Sequence, residues 1–410
     1  MQFCKGLTLS RNLLRPTALS LQLSAGQFLK KLVWYPPAET YISVHAILGA
    51  FLHSSGNFEK TLCDYLKVKK CILANSGRAL LFLLLEILKR KDGGKRDEVL
   101  IPGYTCYSVA ASIAKAGLKI KVYDLDPTTL QPDFNSLKKS ASGKTLAIIF
   151  QHLFGIPTPV DEFEKIAQKT GAPLIEDGAQ AFGGSIDGRG LGTIGDFGFY
   201  SFGRGKPLPI GGGGALTGKD INVLSELKLK LSNKGYISLM FTALIQVMSN
   251  PSIYWIPEIL PLGLGETIFG PHFKVSAMQP TMQNLAENSI DILDDLNTHR
   301  CDIAKTYEDA FDHKNILPVS EETTPVYTRF PLMAGPGPIP KKLKRLGVRR
   351  MYPKAIADEK TIKPYLADQE ASTPGASEIA QNLLTLPTHK GITKNLAKEI
   401  AHKVNGTFQF

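Results

Sequence analysis

Short apolar runs alternate with helical patterns from about residue 60 onward. Five runs predict strands: KKCILANSG, EVLIPGYT, IKVYDLD, TLAIIFQHLFG and APLIEDGAQ. Three stretches between them have the spacing of helices: RALLFLLLEILKRK, YSVAASIAKAG and PVDEFEKIAQKTG. Because the strands are apolar throughout and alternate with helices, they indicate an α/β fold with a mostly parallel sheet covered on both faces. Ligands of such folds bind at the carboxyl ends of the strands, so polar residues there are site candidates.

The pattern changes after residue 265. MQNLAENSIDILDDLNTHRCDIAKTYEDAF predicts one long helix, PVYTRFPLMAGPG predicts a strand, and GASEIAQNLLTLPTHKGITKNLAKEIAHKV predicts a helix, a strand and a helix. We therefore expect three parts. They are a basic amino-terminal arm (1–34), a large domain (35–270) with an apolar insert (236–269), and a smaller carboxyl-terminal α+β domain (271–410).

Composition narrows the class of protein. The chain has 410 residues, of which 43% are apolar and 21% charged, and this balance is typical of folded soluble proteins. Five scattered cysteines without a CxxC pair argue against a disulfide framework or a zinc site and fit a reducing, cytoplasmic compartment. The net charge of +11 comes with no nucleic-acid motif, so we expect no nucleic-acid ligand and favour negatively charged substrates.

Two segments leave alternatives open. The first acidic residue is Glu39, and the basic stretch before it is similar to an organellar transit segment; we favour an arm that packs on a partner subunit or touches a membrane surface. Residues 235–257 carry no charge and are long enough to span a bilayer, but Ser249, Asn250 and Pro251 interrupt them. We favour a buried or dimer-facing helix there, with shallow membrane attachment as the alternative.

Two fragments end strands with polar residues. In ANSGRAL a strand ends and a helix begins, so backbone N–H groups at Ser76, Gly77 and Arg78 are suited to an anion. In IEDGAQAFGG the carboxylate of Asp177 closes an apolar strand, where a buried charge needs a partner. Asp177 fits a metal ligand, a general base or the counter-ion of a protonated ring nitrogen. No other acid or histidine has metal-ligand spacing nearby, which disfavours a metal.

The stretch SFGRGKPLPIGGGG (201–214) adds Ser201 and Lys206 on a loop rich in glycine and proline. It is no Walker loop, because GxxxxGK[ST] is absent and Pro207 follows the lysine. A hydroxyl and loop backbone suit a phosphate, and the lysine amine suits a carbonyl. A phosphate site, a buried carboxylate and a lysine are together what pyridoxal 5′-phosphate (PLP) needs.

At these residues the sequence resembles the DegT/DnrJ/EryC1/StrS family of PLP-dependent sugar aminotransferases. The resemblance covers roughly residues 35–405. It rests on NSGRAL, LIPGYTCYSVAASIAKAGLKIKVYDLDPTTLQPD, HLFGIPTPVDEFEKIAQKTGAPLIEDGAQAFGG, GDFGFYSFGRGKPL with the glycine run, and LLTLPTHKGIT. It implies the fold-type I architecture, a homodimer, and small-molecule substrates, usually glutamate as amino donor and a nucleotide-linked keto-sugar as acceptor.

The resemblance also implies residue roles. Lys206 matches the Schiff-base lysine, Asp177 the partner of the pyridine nitrogen, Gln180 a neighbour of the ring oxygen, and Ser201 a phosphate contact. Ser76, Gly77 and Arg78 occupy the phosphate turn, where the family usually has threonine in place of Arg78.

Two departures from the family pattern leave roles open. Cys106 stands where members have an aromatic that stacks on the cofactor, so we expect Tyr104 or Tyr107 to take that role. The Asn-x-Arg motif is absent from FKVSAMQPTMQN, and Arg78 or Arg204 is expected to compensate. The rival functions are a sugar dehydratase of the same fold, in which histidine usually replaces the lysine, and a non-catalytic scaffold protein.

Overall fold

The structure is a computed structural model, and it describes most of the chain. The described residues are 33–39, 41–52, 57–231, 235–259 and 267–408. Residues 1–32 of the predicted arm lie outside them, and the division into domains at residues 34 and 270 stays a prediction.

Between residues 71 and 177, strands and helices alternate as the sequence pattern predicts. The strands are β1 (Cys71–Ala74), β2 (Glu98–Pro102), β3 (Lys119–Tyr123), β4 (Thr145–Gln151), β5 (Leu174–Asp177), β6 (Ser185–Ile186), β7 (Arg189–Gly190), β8 (Phe197–Ser201), β9 (Gly214–Gly218), β10 (Thr323–Thr324), β11 (Phe330–Met333) and β12 (Leu383–Leu386). The helices are α1 (Val44–Leu52), α2 (Phe58–Leu66), α3 (Gly77–Lys91), α4 (Tyr107–Lys115), α5 (Phe134–Ser140), α6 (Asp161–Thr170), α7 (Ile221–Glu226), α8 (Gly235–Met248), α9 (Trp255–Ile259), α10 (Pro280–Glu287), α11 (Leu293–Glu308), α12 (Lys341–Lys344), α13 (Pro374–Asn382) and α14 (Lys394–Phe408).

The main sheet has seven strands in the order β1-β9-β8-β5-β4-β2-β3. Strands β3, β2, β4, β5 and β8 run parallel, whereas β9 is antiparallel to both of its neighbours. The predicted α/β fold with a mostly parallel sheet is confirmed. The sequence pattern does not predict β8 and β9, because glycines interrupt both and glycine is depleted in strands.

The core lies on both faces of this sheet. On one face, Leu80 and Leu84 of α3 pack with Ile113 of α4. On the other face, Phe163 of α6 belongs to a cluster that continues into the carboxyl-terminal elements through Phe330 of β11. Both faces of the sheet are therefore covered, and the carboxyl ends of its strands remain available for a binding site.

The predicted long helix after residue 279 is wrong, because it is two helices. Helix α10 ends at Glu287, a single 3₁₀ turn covers Ile290–Ile292, and α11 follows. The hydroxyl of Ser289 donates to the carbonyl of Leu285 at 2.6 Å, a local bond that competes with helix continuation. The break separates two packing partners, since α10 packs against α1 and α8 whereas α11 packs against α14.

The apolar insert contains α8 and α9, joined by turns. Within the described ranges, no helix is long and apolar enough to cross a membrane. Within one chain, α8 buries Leu239 and Thr242 but exposes most of its other large side chains. A helix that faces a partner subunit and one that lies on a membrane surface both remain predictions.

Candidate active site

A cavity of about 340 Å³, the main cavity, lies at the carboxyl edge of the sheet. The register brings the strand ends together there, since Gln151 of β4 pairs with Asp177 of β5, and Ser201 of β8 pairs with Gly214 of β9. Seven of the eight predicted site residues line it: Ser76, Gly77, Arg78, Asp177, Gln180, Ser201 and Lys206. Tyr104, the eighth, does not.

The amino terminus of α3 forms one wall of the main cavity. Ser76 caps the helix, and its hydroxyl accepts from the backbone N–H of Ala79 at 3.3 Å. The glycine run lies directly against this turn: a Cβ added at Gly214 would come within 2.4 Å of the backbone nitrogen of Gly77. A Cβ at Gly77 would lie 2.8 Å from the carbonyl oxygen of Tyr200. Only glycine permits this approach, so the run leaves the helix N–H groups accessible to an anion.

Asp177 is the only acidic residue among the described residues that line the main cavity. Its carboxylate accepts a hydrogen bond from the N–H of Ala179 at 3.0 Å. Burial raises the pKa of Asp177, and the charge of Lys206 and the Ala179 N–H offset this only in part. A buried carboxylate with one donor is suited to a further cationic N–H group.

The neighbouring carboxylate of Glu176 has a different environment. It accepts from the N–H groups of Gly192, Ile194 and Gly195 at 2.5, 2.7 and 3.0 Å, and lies 2.7 Å from Nε2 of His152. Burial opposes its charge, but His152 and these N–H groups outweigh burial and hold its pKa below the usual value. Glu176 therefore holds the 192–195 turn in place.

His152 lines the main cavity, although sequence reasoning did not select it. Its Nδ1 accepts from the N–H of Thr158 at 3.0 Å, so Nε2 carries the proton and donates it to Glu176. Both ring nitrogens are thus engaged. The available signal was its position directly after β4, in the HLFG motif.

The loop that carries Lys206, residues 202–213, is held from outside the large sheet. The N–H of Gly205 donates to the carbonyl of Glu39 at 2.8 Å, and Arg300 of α11 donates to the carbonyl of Pro207 at 3.0 Å. The carboxylate of Glu39 lies 3.6 Å from Arg300, and both are buried. Burial disfavours the charge of Glu39, yet Arg300 and His389 hold its pKa below the usual value. The lysine loop is therefore fixed between Glu39, which precedes α1, and Arg300 of α11.

The predicted stacking residues lie elsewhere. Tyr104 is fully buried behind the cavity, with its ring centroid 5.5 Å from that of Tyr352. Tyr107 begins α4, and its hydroxyl donates to the carbonyl of Lys354 at 3.1 Å. Neither tyrosine lines the main cavity, whereas Cys106 and Tyr352 do. The placement of Tyr104 corrects the expectation that it contacts the cofactor; the exposed face at this turn belongs to Cys106.

Gln180 and Arg78 both border the main cavity with partners of their own. The amide of Gln180 donates to the hydroxyl of Tyr352 at 3.0 Å and accepts from Thr328 at 3.3 Å. The guanidinium of Arg78 is exposed and lies 4.9 Å above the ring of Phe273. The Arg78 side chain thus stacks at the cavity mouth.

A second cavity of about 610 Å³, the vestibule, shares Gln180, Lys206 and Tyr352 with the main cavity. Four arginines line the vestibule: Arg204, Arg329, Arg349 and Arg350. Glu258 is the only acid among its described lining residues. The vestibule is therefore strongly cationic.

The main cavity fits PLP. Asp177 is a buried carboxylate with one hydrogen-bond donor among the described residues, Lys206 supplies an amine, and the α3 terminus beside the glycine run suits a phosphate. This set of groups, on a seven-stranded sheet with one antiparallel strand, defines a PLP-dependent transferase of fold-type I. The chain belongs to the DegT/DnrJ/EryC1/StrS aminotransferase family, whose model matches residues 50–405. The family's cofactor is PLP.

Individual relatives match over shorter segments. L-glutamine:2-deoxy-scyllo-inosose aminotransferase of Streptomyces kanamyceticus is 33% identical over 163 residues, which are 40% of this chain and 38% of that protein. GDP-perosamine synthase of Caulobacter vibrioides is 32% identical over 172 residues, which are 42% of this chain and 46% of that protein. The chain spans less than half of the length of these curated relatives.

A solved structure shows the same fold. The GDP-4-keto-6-deoxy-D-mannose-3-dehydratase of E. coli with bound hydrated PLP superposes with a TM-score of 0.70 at 17% identity. The superposition covers 91% of this chain and 99% of the dehydratase. At this identity the likeness concerns the fold alone, so it leaves the choice of reaction to the site.

Proposed function

We propose that this protein is a PLP-dependent aminotransferase. It moves an amino group from an amino acid, glutamate, to a keto group of a nucleotide-activated sugar. The observation that carries the proposal is that Lys206 and Asp177 line one cavity with the capped start of α3. The sugar acceptor rests on the relatives' substrates and on the cationic vestibule, which suits a phosphorylated ligand.

Each site residue has a proposed task. The α3 terminus at Ser76, Gly77 and Arg78, together with Ser201, holds the phosphate. Asp177 keeps the ring nitrogen protonated. When bound, the cofactor supplies an aldehyde that bonds to amines and a ring that accepts electrons.

Lys206 is the proposed anchor of the cofactor and, once displaced, the base that moves a proton at the substrate's α-carbon. His152 is poorly suited to this task, because its Nδ1 accepts from Thr158 and its Nε2 donates to Glu176. The presence of Lys206 favours the aminotransferase over the dehydratase, in which a histidine usually replaces this lysine. It also disfavours a scaffold, in which no amine beside Asp177 is needed.

The experiment is amino transfer followed in two halves. Glutamate added to the purified holoprotein should convert the cofactor to its amine form, seen as loss of the visible absorption band. A nucleotide-linked keto-sugar should then restore the band and yield an amino sugar by mass spectrometry. Lys206→Ala should lower the rate at least about 1000-fold, because it removes both anchor and base, whereas the surface variant Lys144→Ala should match the wild type.

Two results would contradict this function. Loss of water from the keto-sugar without consumption of glutamate would indicate the dehydratase. A holoprotein whose spectrum does not respond to any amino donor would indicate the scaffold.

We further propose that the protein is a homodimer that buries one apolar face. This face consists of the exposed side chains Val44, Leu48, Phe51 and Leu52 of α1 and Tyr236, Ile237, Met240, Phe241, Leu244 and Val247 of α8. The rings of Phe51 and Tyr236 stack with centroids 6.4 Å apart, so the two helices form one continuous surface. Patches of this kind mark protein or membrane contacts.

The position of the apolar face favours a second copy of the chain as the partner that covers it. A cavity beside α8 is lined by Phe241 and Thr242 and by Asn75, Gly211 and Gly213, and the last three also line the main cavity. A partner seated on the apolar face therefore lies next to the proposed phosphate turn. This arrangement agrees with an active site completed by two subunits.

A further inference from the structure

The vestibule contains more positive charge than its own residues neutralise. Its lining has five basic side chains, Lys206 and four arginines, against the single carboxylate of Glu258. Two of the arginines are accounted for by their contacts. The other two determine what the vestibule can bind.

Arg349 and Arg350 are held by the protein itself. Arg349 donates to the carboxylate of Glu258 at 2.7 Å and to the carbonyl of Lys344 at 2.6 Å. Arg350 donates to the carbonyls of Gly335 and Gln381, each at 2.6 Å. Arg349 also donates to the carbonyl of Val348, and Arg350 to that of Gly337. Both guanidinium groups are thus held by several protein acceptors, so we assign them to the scaffold of the vestibule.

Arg329 is half-buried in the wall of the vestibule. Its side chain donates to the hydroxyl of Thr385 at 3.1 Å, and it forms no ion pair with the described part of the chain. Burial and, to a smaller extent, the nearby charge of Arg349 together lower the pKa of Arg329 to about 10. A guanidinium in this position is stabilised by an anion that enters from solvent.

Arg204 supplies a second unpaired guanidinium, two residues before Lys206. Across residues 33–39, 41–52, 57–231, 235–259 and 267–408 its side chain has no ion pair or hydrogen bond. The charges of Arg204 and Arg329 both act on the hydroxyl of Tyr254, which also lines the vestibule. The two arginines therefore face one space that opens onto the amine of Lys206.

We propose that Arg329 and Arg204 form an oxyanion subsite that binds the charged end of a substrate while its reacting end lies at Lys206. Paired guanidinium groups bind carboxylates and phosphates through parallel N–H···O bonds. Within the proposed function, this oxyanion is either the carboxylate of the amino donor or the diphosphate of the acceptor. The inference rests on that function only for the identity of the substrate.

The test uses the holoprotein and two probes that cannot react. Glutarate represents the donor's carboxylates and uridine diphosphate represents the acceptor's diphosphate. Isothermal titration calorimetry measures Kd of each probe for the wild type, Arg329→Gln, Arg204→Gln and the matched control Arg189→Gln. Arg189 is exposed on β7 and lies outside the vestibule.

We expect Arg329→Gln to weaken one probe about 10- to 100-fold, the range for losing a charged hydrogen-bonding partner. Arg204→Gln should weaken the same probe, Arg329→Lys should fall between, and Arg189→Gln should match the wild type. The probe that loses affinity identifies the source of the oxyanion. An unchanged visible cofactor band in each variant shows that the fold and the main cavity persist.

The proposal is overturned if the wild type binds neither probe, or if both arginine variants bind both probes as the wild type does. Amino transfer measured on the same proteins separates this outcome from failure of the proposed function. If the arginine variants keep both amino transfer and probe binding, the subsite is refuted and the proposed function stands. If the variants lose probe binding but the wild type never transfers an amino group, the subsite is supported and the proposed function is refuted.

Discussion

Two adjacent carboxylates at the end of β5 show how environment decides a residue's role. Glu176 accepts from three backbone N–H groups and the ring of His152, so it is a structural anchor. Asp177 accepts from one N–H group and faces the main cavity. The sequence IED shows two similar acids, and the contacts of Glu176 with His152 and the turn at residues 192–195 distinguish them.

Asp177→Asn should stabilise the cofactor-free protein. Burial raises the pKa of Asp177 in the folded protein above its value of about 3.9 in the unfolded chain. The protonated carboxyl group therefore contributes to the stability of the fold below about pH 3.9, and this contribution is lost as the pH rises through the folded pKa. Once ionised, Asp177 is a buried charge, whose removal should raise the free energy of unfolding at pH 7 by about 1 kcal/mol. Urea unfolding at pH 7 and near pH 4 measures this, and the gain should shrink at the lower pH.

Glu176→Gln is the matched control for this prediction. An amide cannot accept all four hydrogen bonds, so this variant should lose about 2 kcal/mol or more at pH 7. An Asp177→Asn protein that is less stable than the wild type at pH 7 would contradict the account of the site.

At the scale of elements, the sequence predicts strands β1 to β5 and the helices α3, α4 and α6 between them because their apolar patterns are strong. It fails at β8 and β9, where close backbone contacts require glycine: Gly198 of β8 lies against Gly192, and Gly214 of β9 lies against the α3 terminus. It also fails at the break before α11, where a hydroxyl bond of Ser289 ends the periodic stretch. In each case a local contact outweighs the apolar pattern.

Sequence motifs predicted two residues that line the main cavity, Asp177 at the end of β5 and Lys206 on the glycine-rich loop after β8. The support of the lysine loop was not predictable, because Glu39 and Arg300 reach it from distant parts of the chain. Tyr104 was misplaced for a related reason. Sequence order gives no sign that its ring packs behind the cavity against Tyr352.

At the scale of the whole molecule, the apolar face of α1 and α8 predicts a homodimer. Sedimentation should give about twice the chain's 44.8 kDa at micromolar concentration. Met240→Asp with Leu244→Asp should shift it to monomer, because two buried charges are costly in an apolar interface. Ile221→Asp, an exposed apolar residue outside the face, is the control.

A monomeric wild type would refute this interface. If that monomer also cosediments with phosphatidylcholine–phosphatidylglycerol vesicles and the double variant does not, the apolar face binds a membrane instead.

We propose above all that the main cavity holds PLP through the amine of Lys206. Borohydride reduction of the PLP-loaded protein fixes the bound cofactor to its lysine, and peptide mass mapping then identifies that lysine. We predict one labelled site per chain, at Lys206, and no label at saturating PLP in Lys206→Ala. A label at another lysine, or a wild-type protein that takes up no PLP, would contradict the account.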